Sequence, residues 1–337
     1  MRQLYGLLIF AAIVAAGPPA SADPQVWRLQ GWETDFTKAT VAFSEIVSGG
    51  PPRDGIPPID RPKFEPALEV EAYADREPVI QLVFGDVARA YPLSVLTWHE
   101  IVNDTFAGVP VAVTYCPLCN ASIVFDRRFD GRILDFGTTG LLRNSDLIMY
   151  DRQTESWWQQ FTGQAIVGRH AGATLDFIPS RVVSFGEFRS THPDGEVLVP
   201  ADDAFRDYGR NPYVNYDSRS APYPLYTGEL PAQIDPLERV VVVRRDDDDV
   251  VAVTLAHLRN LGRVEIDGVS LEWAEGMASA LDSPDISRGR DVGSVAVSDR
   301  SGEPLIHDVT FAFVLFAFHP EATVLTETGR LELSAQD

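Results

Sequence analysis

A mainly β fold, made of antiparallel hairpin-rich sheets with a few short helices, is predicted by three features of the sequence. From Glu71 onward, short apolar runs rich in β-branched and aromatic residues are separated by turn signals. Asp130-Gly131 lies between "SIVFDRRF" and "RILDFG", the strongest short hairpin signal a sequence can carry. Stretches with helical spacing are few and short, so sheets must supply most of the core.

Taken in order, the chain opens with "MRQLYGLLIFAAIVAAGPPASADPQ", in which Arg2 precedes an apolar run and Ala20, Ser21 and Ala22 precede Asp23. This has the form of a cleavable secretory signal peptide over residues 1–22, too short for a stable membrane anchor. The mature protein is therefore expected to be soluble and periplasmic or secreted. "FTKATVAFSEIVSGG" (36–50) has apolar residues at helical spacing and ends in glycines, which predicts a helix. The Pro-rich "PPRDGIPPIDRPKF" that follows cannot continue it and is expected to wrap an edge of the body.

Next come hairpins. "VIQLVF" and "VARAYPL" flank Gly85-Asp86, and "LIMYDRQTESWWQQF" places polar residues between two aromatic-rich strands. The run Asp246 to Asp249 sits between "RVVVVRR" and "VVAVTL" and reads as a solvated turn, since it lacks the spacing and the Gly of a calcium loop. "FAFVLFAF" (311–318) is expected to be a buried strand.

Two echoes point to an internal duplication: "VARAYPLSVL" resembles "VVAVTLAHL", and "HPDGEVL" resembles "HPEATVL". If so, the second copy has lost the cysteine segment, and the chemistry lies in the first half. The expected division is 23–70 for an N-terminal helix and wrapping segment, 71–235 for a β-rich core, and 236–337 for a β-rich part packed on it.

The chain has 337 residues and a formal net charge of −21. Nucleic acid and anionic membranes both require a concentrated positive face, so neither is an expected partner. Walker loops, dinucleotide fingerprints, Ser nucleophile elbows and HExxH helices do not occur. The expected ligand is a metal ion or a small molecule.

The only cysteines lie in "VAVTYCPLCNASIVFDRR". Cys116-Pro-Leu-Cys119 after a strand has the form of a metal knuckle, in which Pro presets the turn and backbone N–H groups face the thiolates. One knuckle supplies two ligands, so histidine is expected to supply the rest. His99, in "LTWHEIVND", and His319, before Pro320, are the candidates, with His192 in reserve. Thiolate with imidazole suits zinc or copper. Two other readings stay open. One is a thiol–disulfide oxidoreductase, against which the β-branched run after Cys119 speaks, since such sites open a helix. The other is a structural disulfide in a binding module, although closing so short a loop gains only roughly 2 kcal/mol.

Around the knuckle, Thr138, Thr139, Asn144 and Ser145 could line a pocket with Trp157 as its wall, and Glu100, Asp126 and Asp146 are the carboxylates available for catalysis. Asp126-Arg127 and Asp151-Arg152 occur in successive hairpins and could pair across strands.

"SGGPPRDGIPPID", "RAYPLSVLTWHEIVND", "VAVTYCPLCNASIVFDRR", "FGTTGLLRNSDLIMYDRQTESWWQQFTGQAIVG" and "FAFHPEATVL" together resemble the bacterial and archaeal domain of unknown function 3179, from about Phe36 to Leu325. The resemblance implies one family-wide unit and a shared centre at His99, Cys116, Cys119 and His319. It implies no reaction. Asn120 stands where the family commonly has Gly, and Thr139 where Ser is common; both remain small.

Overall fold

The computed structural model describes residues 22–200, 206–245 and 249–335. The expected leader segment and Asp246 to Asp248 lie outside the described residues. Among those described, no helix is long and apolar enough to cross a membrane.

The first helix, α1 (Pro24–Leu29), is capped by Asp23, whose side chain accepts from Gln25 N, with Pro24 at the helix start where its missing N–H costs nothing. Two short strands follow, β1 (Ile46–Ser48) and β2 (Lys63–Pro66). The predicted helix over 36–50 is not formed. Phe43–Glu45 makes one 3-10 turn, and Ile46, Val47 and Ser48 pair with Arg143, Leu142 and Leu141 of a later strand. Strand pairing supplied from far along the chain overrides the local helical spacing.

A first unit then runs β3 (Pro78–Phe84), β4 (Val87–Pro92), α2 (Leu93–His99), β5 (Ile101–Phe106), β6 (Val109–Cys116) and β7 (Ala121–Asp126). An insertion interrupts it with β8 (Arg128–Phe129), β9 (Arg132–Ile133), β10 (Phe136–Arg143), β11 (Asp146–Asp151), β12 (Trp157–Gln159), β13 (Ala165–Val167) and β14 (Phe177–Ile178). The unit finishes with β15 (Arg181–Ser184), α3 (Phe185–Thr191) and β16 (Glu196–Val199).

The second unit repeats this order without the insertion. It comprises β17 (Arg239–Arg244), β18 (Val250–Thr254), α4 (Leu255–Leu261), β19 (Arg263–Ile266), β20 (Val269–Ala274), β21 (Ser294–Asp299), β22 (His307–Phe311), α5 (Ala312–Phe318) and β23 (Thr323–Thr326), followed by β24 (Gly329–Glu332). Corresponding sheets have the same strand orders, β15-β3-β4-β16-β2 and β22-β17-β18-β23-β24, and in each the strand after the His-Pro turn lies parallel to its neighbour.

The duplication extends to single hydrogen bonds. Phe185 N donates to Glu77 O as Ala312 N does to Glu238 O, and the cap residues His192 (φ −130°, ψ 70°) and His319 (φ −136°, ψ 67°) share one conformation. Both sequence echoes therefore fall on equivalent elements. The sheets form a propeller-like ring, in which β22 of the second unit packs beside β7 of the first and β15 of the first beside β21 of the second.

Of "FAFVLFAF", only Phe311 is in a strand, the end of β22; Ala312–Phe318 is helix α5. Its residues Ala312 to Phe316 are all buried, so a helix here needs no polar face, and periodicity cannot distinguish the two states in so short an apolar run. The hairpins at Gly85-Asp86 and Asp130-Gly131 form as expected, with Leu82 opposite Arg89 and Phe129 opposite Arg132.

Candidate functional site

The β6–β7 hairpin builds the knuckle. Cys116 lies opposite Ala121, and the connection is closed by Cys119 N donating to Cys116 O (3.2 Å) and Asn120 N donating to Pro117 O (3.2 Å). Asn120 has φ 51°, a left-handed conformation that Asn tolerates better than other side chains bar Gly. Three contacts from elsewhere fix the loop. Asn120 Nδ2 donates to Val309 O (2.6 Å), Thr310 Oγ1 to Cys119 O (2.7 Å), and Tyr216 OH to Leu118 O (2.9 Å). Strand β22 of the second unit thus holds the cysteine turn of the first, and both thiols are buried.

A second hairpin from the insertion brings a carboxylate to the thiols. Asn144 and Ser145 form the two-residue turn between β10 and β11, with φ of 53° and 61°, the pattern of a type I′ hairpin. The turn places Asp146 first in β11 and aims Ser145 O at Cys116, whose Sγ lies 3.7 Å away. Ligand atoms of Cys116, Cys119 and Asp146 all lie within 4.8 Å of one another, and all three residues are buried. Asp146 Oδ2 accepts from Gln159 Nε2 (2.6 Å) and Phe161 N (2.8 Å). Its other oxygen, Oδ1, is buried with no hydrogen-bond partner among the described residues. Such an atom carries its full desolvation cost unless something else meets it.

The electrostatics are those of a dry, acid-rich pocket. Burial pushes Asp146 up to about 6, against the pull of the Phe161 N–H and the Gln159 amide. Burial, then the charge of Asp146, pushes Glu100 up to about 8. Burial also raises Cys116, and Cys119 well above the usual thiol range. At neutral pH the metal-free thiols keep their protons. A divalent or soft cation would draw them off, because it stabilises the ionised forms that burial disfavours.

The residues singled out in the sequence are distributed as follows. Asp146 joins the cysteines. Glu100 caps α2 with φ 59°, where the second unit has Gly262 (φ 73°), and its carbonyl accepts from Tyr115 N (2.8 Å). A buried glutamate in a conformation that favours Gly is locally strained.

The two histidines do not join the Cys116, Cys119 and Asp146 group. His99 Nδ1 donates to Pro57 O (2.7 Å), and Nε2 lies 2.8 Å from Tyr208 OH. His319 caps α5 and packs against Phe161. His192 holds the matching position on α3.

Asp126 ends β7 at the far end from the cysteines and pairs with Arg128, while Arg127 pairs with Asp135, and Arg152 with Asp60. The cross-strand pairing expected between the two Asp-Arg steps is therefore absent. Each Asp126 and Arg127 side chain finds a nearer partner within the β8–β9 excursion. The expected pocket is also largely closed. Thr138 Oγ1 donates to Ile56 O and Thr139 Oγ1 to Ile148 O, and Trp157 is buried against Trp27, Trp32 and Phe36.

Gln159, Gln160 and Tyr216 support the site and were not anticipated. Gln160 Nε2 donates to Thr114 Oγ1 (2.9 Å) and to Ala121 O (3.3 Å), bracing the two strands that carry the cysteines. The one signal in the sequence was a pair of amides directly after two tryptophans in a β-rich segment.

No curated protein and no solved structure matches this chain. A family model described as protein of unknown function (DUF3179) matches residues 53–322, which takes in the first unit, the insertion, the second unit through α5 and every residue of the thiol–carboxylate cluster. The chain belongs to that family.

Proposed function

We propose that this protein is an extracytoplasmic metalloprotein that binds zinc or copper through Cys116, Cys119 and Asp146. The observation that carries the reading is the convergence of two thiols and a half-satisfied carboxylate, from two separate hairpins, in one buried site. Two sulfurs and one oxygen suit zinc, and the two thiolates alone suit cuprous copper. Three protein ligands leave a fourth position for a small molecule, with the buried Glu100 close enough to Asp146 to feel its charge. The apolar leader at the N-terminus supports placement outside the cytoplasm.

The thiol–disulfide reading is less well supported. A reactive thiol requires a lowered pKa, commonly at a helix N-terminus, whereas here burial raises both thiols and Cys119 leads into β7.

The test is metal content by mass spectrometry with a free-thiol titration, on protein purified from the periplasm without chelator. We expect about one zinc or copper ion per chain, with thiols that react only after the metal is removed. Cys116→Ser and Asp146→Asn should each lose the ion, whereas His99→Ala and His319→Ala should retain it. Metal-free wild type with a Cys116–Cys119 disulfide, or undiminished metal in Cys116→Ser, would overturn the reading.

A further inference from the structure

A cavity of about 660 Å³ lies between the insertion and the second unit, lined by Arg143, Thr162, Arg244, Arg245, Phe318 and His319 among others. Three guanidinium groups in one concavity stand out in a chain of net charge −21. Two of them have partners: Arg143 pairs with Glu45 (2.8 Å) and Arg245 with Asp249 (2.8 Å).

Arg244 is different. Among the described residues it makes no ion pair, and its one side-chain hydrogen bond runs from Nη2 to Phe161 O (2.7 Å). Its guanidinium carbon lies 4.6 Å from the centroid of the Phe161 ring and 4.9 Å from that of Phe177. The two rings flank the guanidinium. The buried carboxyls of Asp308 and Asp146 act on its charge without forming an ion pair with it, so its remaining donors stay available, and a planar fork flanked in this way suits two parallel hydrogen bonds to an oxyanion.

We propose that this basin binds the carboxylate or phosphate group of a small anionic ligand, with Arg244 as the anchor and Arg143 as a second cation at the wall. The overall charge of the chain repels anions at a distance. Recognition must therefore be short-ranged, which places the whole affinity on these groups.

The basin also adjoins the thiol–carboxylate cluster. Phe161 accepts from Arg244 through its C=O and donates to Asp146 through its N–H. A ligand anchored on Arg244 is thus one residue away from Asp146. Anion binding here needs no ion at Cys116, Cys119 and Asp146, so it can hold or fail independently of the metal reading.

The experiment is isothermal titration of the full chain with inorganic phosphate and, separately, with succinate, in a low-chloride buffer. Wild type should show saturable binding of at least one anion, weakened about tenfold or more in Arg244→Gln and less in Arg143→Gln. Binding of phosphate alone assigns a phosphorylated ligand, and binding of succinate alone assigns a carboxylate. No saturable binding of either, or equal affinity in wild type and Arg244→Gln, would overturn the proposal. Should Arg244→Gln fail to give the wild-type circular dichroism spectrum, Arg143→Gln decides, and unchanged affinity there would overturn it.

Discussion

Asp217→Ala should destabilise the protein by about 3–5 kcal/mol, because it breaks a buried ion pair from one side only. Asp217 lies in the 3-10 turn Tyr216–Ser218, and its side chain is fully buried. One of its oxygens faces Arg239 Nη1 at 2.8 Å and the other Arg290 Nη1 at 2.8 Å. Arg239 opens β17 with its side chain only 7% exposed, and its Nη2 also donates to Ser279 Oγ (2.9 Å). Burial works against the ionised carboxylate, but Arg239, Ser279 and Arg290 outweigh it and hold Asp217 below the usual range. The stabilisation is therefore complete above the pKa of an unfolded Asp and is lost as pH falls through the lowered folded value.

Removing the carboxylate strands the Arg239 guanidinium in a dry site. It also unties the segment whose Tyr216 holds Leu118 O in the cysteine loop. Asp217→Asn should cost less, since the amide still accepts a hydrogen bond. Urea unfolding at pH 7 measures both. A loss below about 1 kcal/mol in Asp217→Ala would mean that the pair behaves like an exposed one.

What the sequence made legible follows the range of the interactions that decide each feature. Gly85-Asp86 and Asp130-Gly131 were readable as turns because turn chemistry is local. The echo of "HPDGEVL" in "HPEATVL" marked a true structural repeat, because a His-Pro turn at the end of a helix imposes the same cap on both units. The helix itself was misread at α5, where burial on every side erased the periodic signal. Cys116 and Cys119 were legible from their spacing.

Their carboxylate partner was visible only as one polar residue among several, since its role depends on the left-handed pair Asn144-Ser145 turning β11 inward. His99 and His319 drew attention as ligand types, but their rings are engaged elsewhere, His99 by Pro57 O and Tyr208 OH and His319 against Phe161. Arg244 could not be singled out from "RVVVVRR". Its setting depends on the insertion, far away in sequence, that supplies Phe161 and Phe177.

Glu77→Gln and Asp308→Asn should each stabilise the protein, and by more at pH 8 than at pH 5. Both carboxyls are buried, at 5% and 4% exposure, and each has an oxygen with no partner among the described residues. Burial pushes Glu77 from 4.5 up to about 7, with Ser94 and the Ala74 backbone opposing and the charge of Asp285 adding. Burial likewise pushes Asp308 from 3.8 up to about 7, against the N–H groups of Ser122 and Val309 and the charge of Arg244, with Asp146 adding.

A carboxyl whose folded pKa is raised binds more protons folded than unfolded between the two values, so stability falls as pH climbs through that window. By pH 8 the loss is on the order of 3–4 kcal/mol for each group, against roughly 1–2 kcal/mol at pH 5. The amide variants mimic the protonated acids and escape it. Any contribution from a bound metal is common to wild type and variants, so the comparison at two pH values isolates the buried carboxyls. Denaturant midpoints for wild type and each variant at pH 5 and pH 8 provide the test. A gain for Glu77→Gln that is no larger at pH 8 than at pH 5 would show that its carboxylate is met by water or a cation in solution.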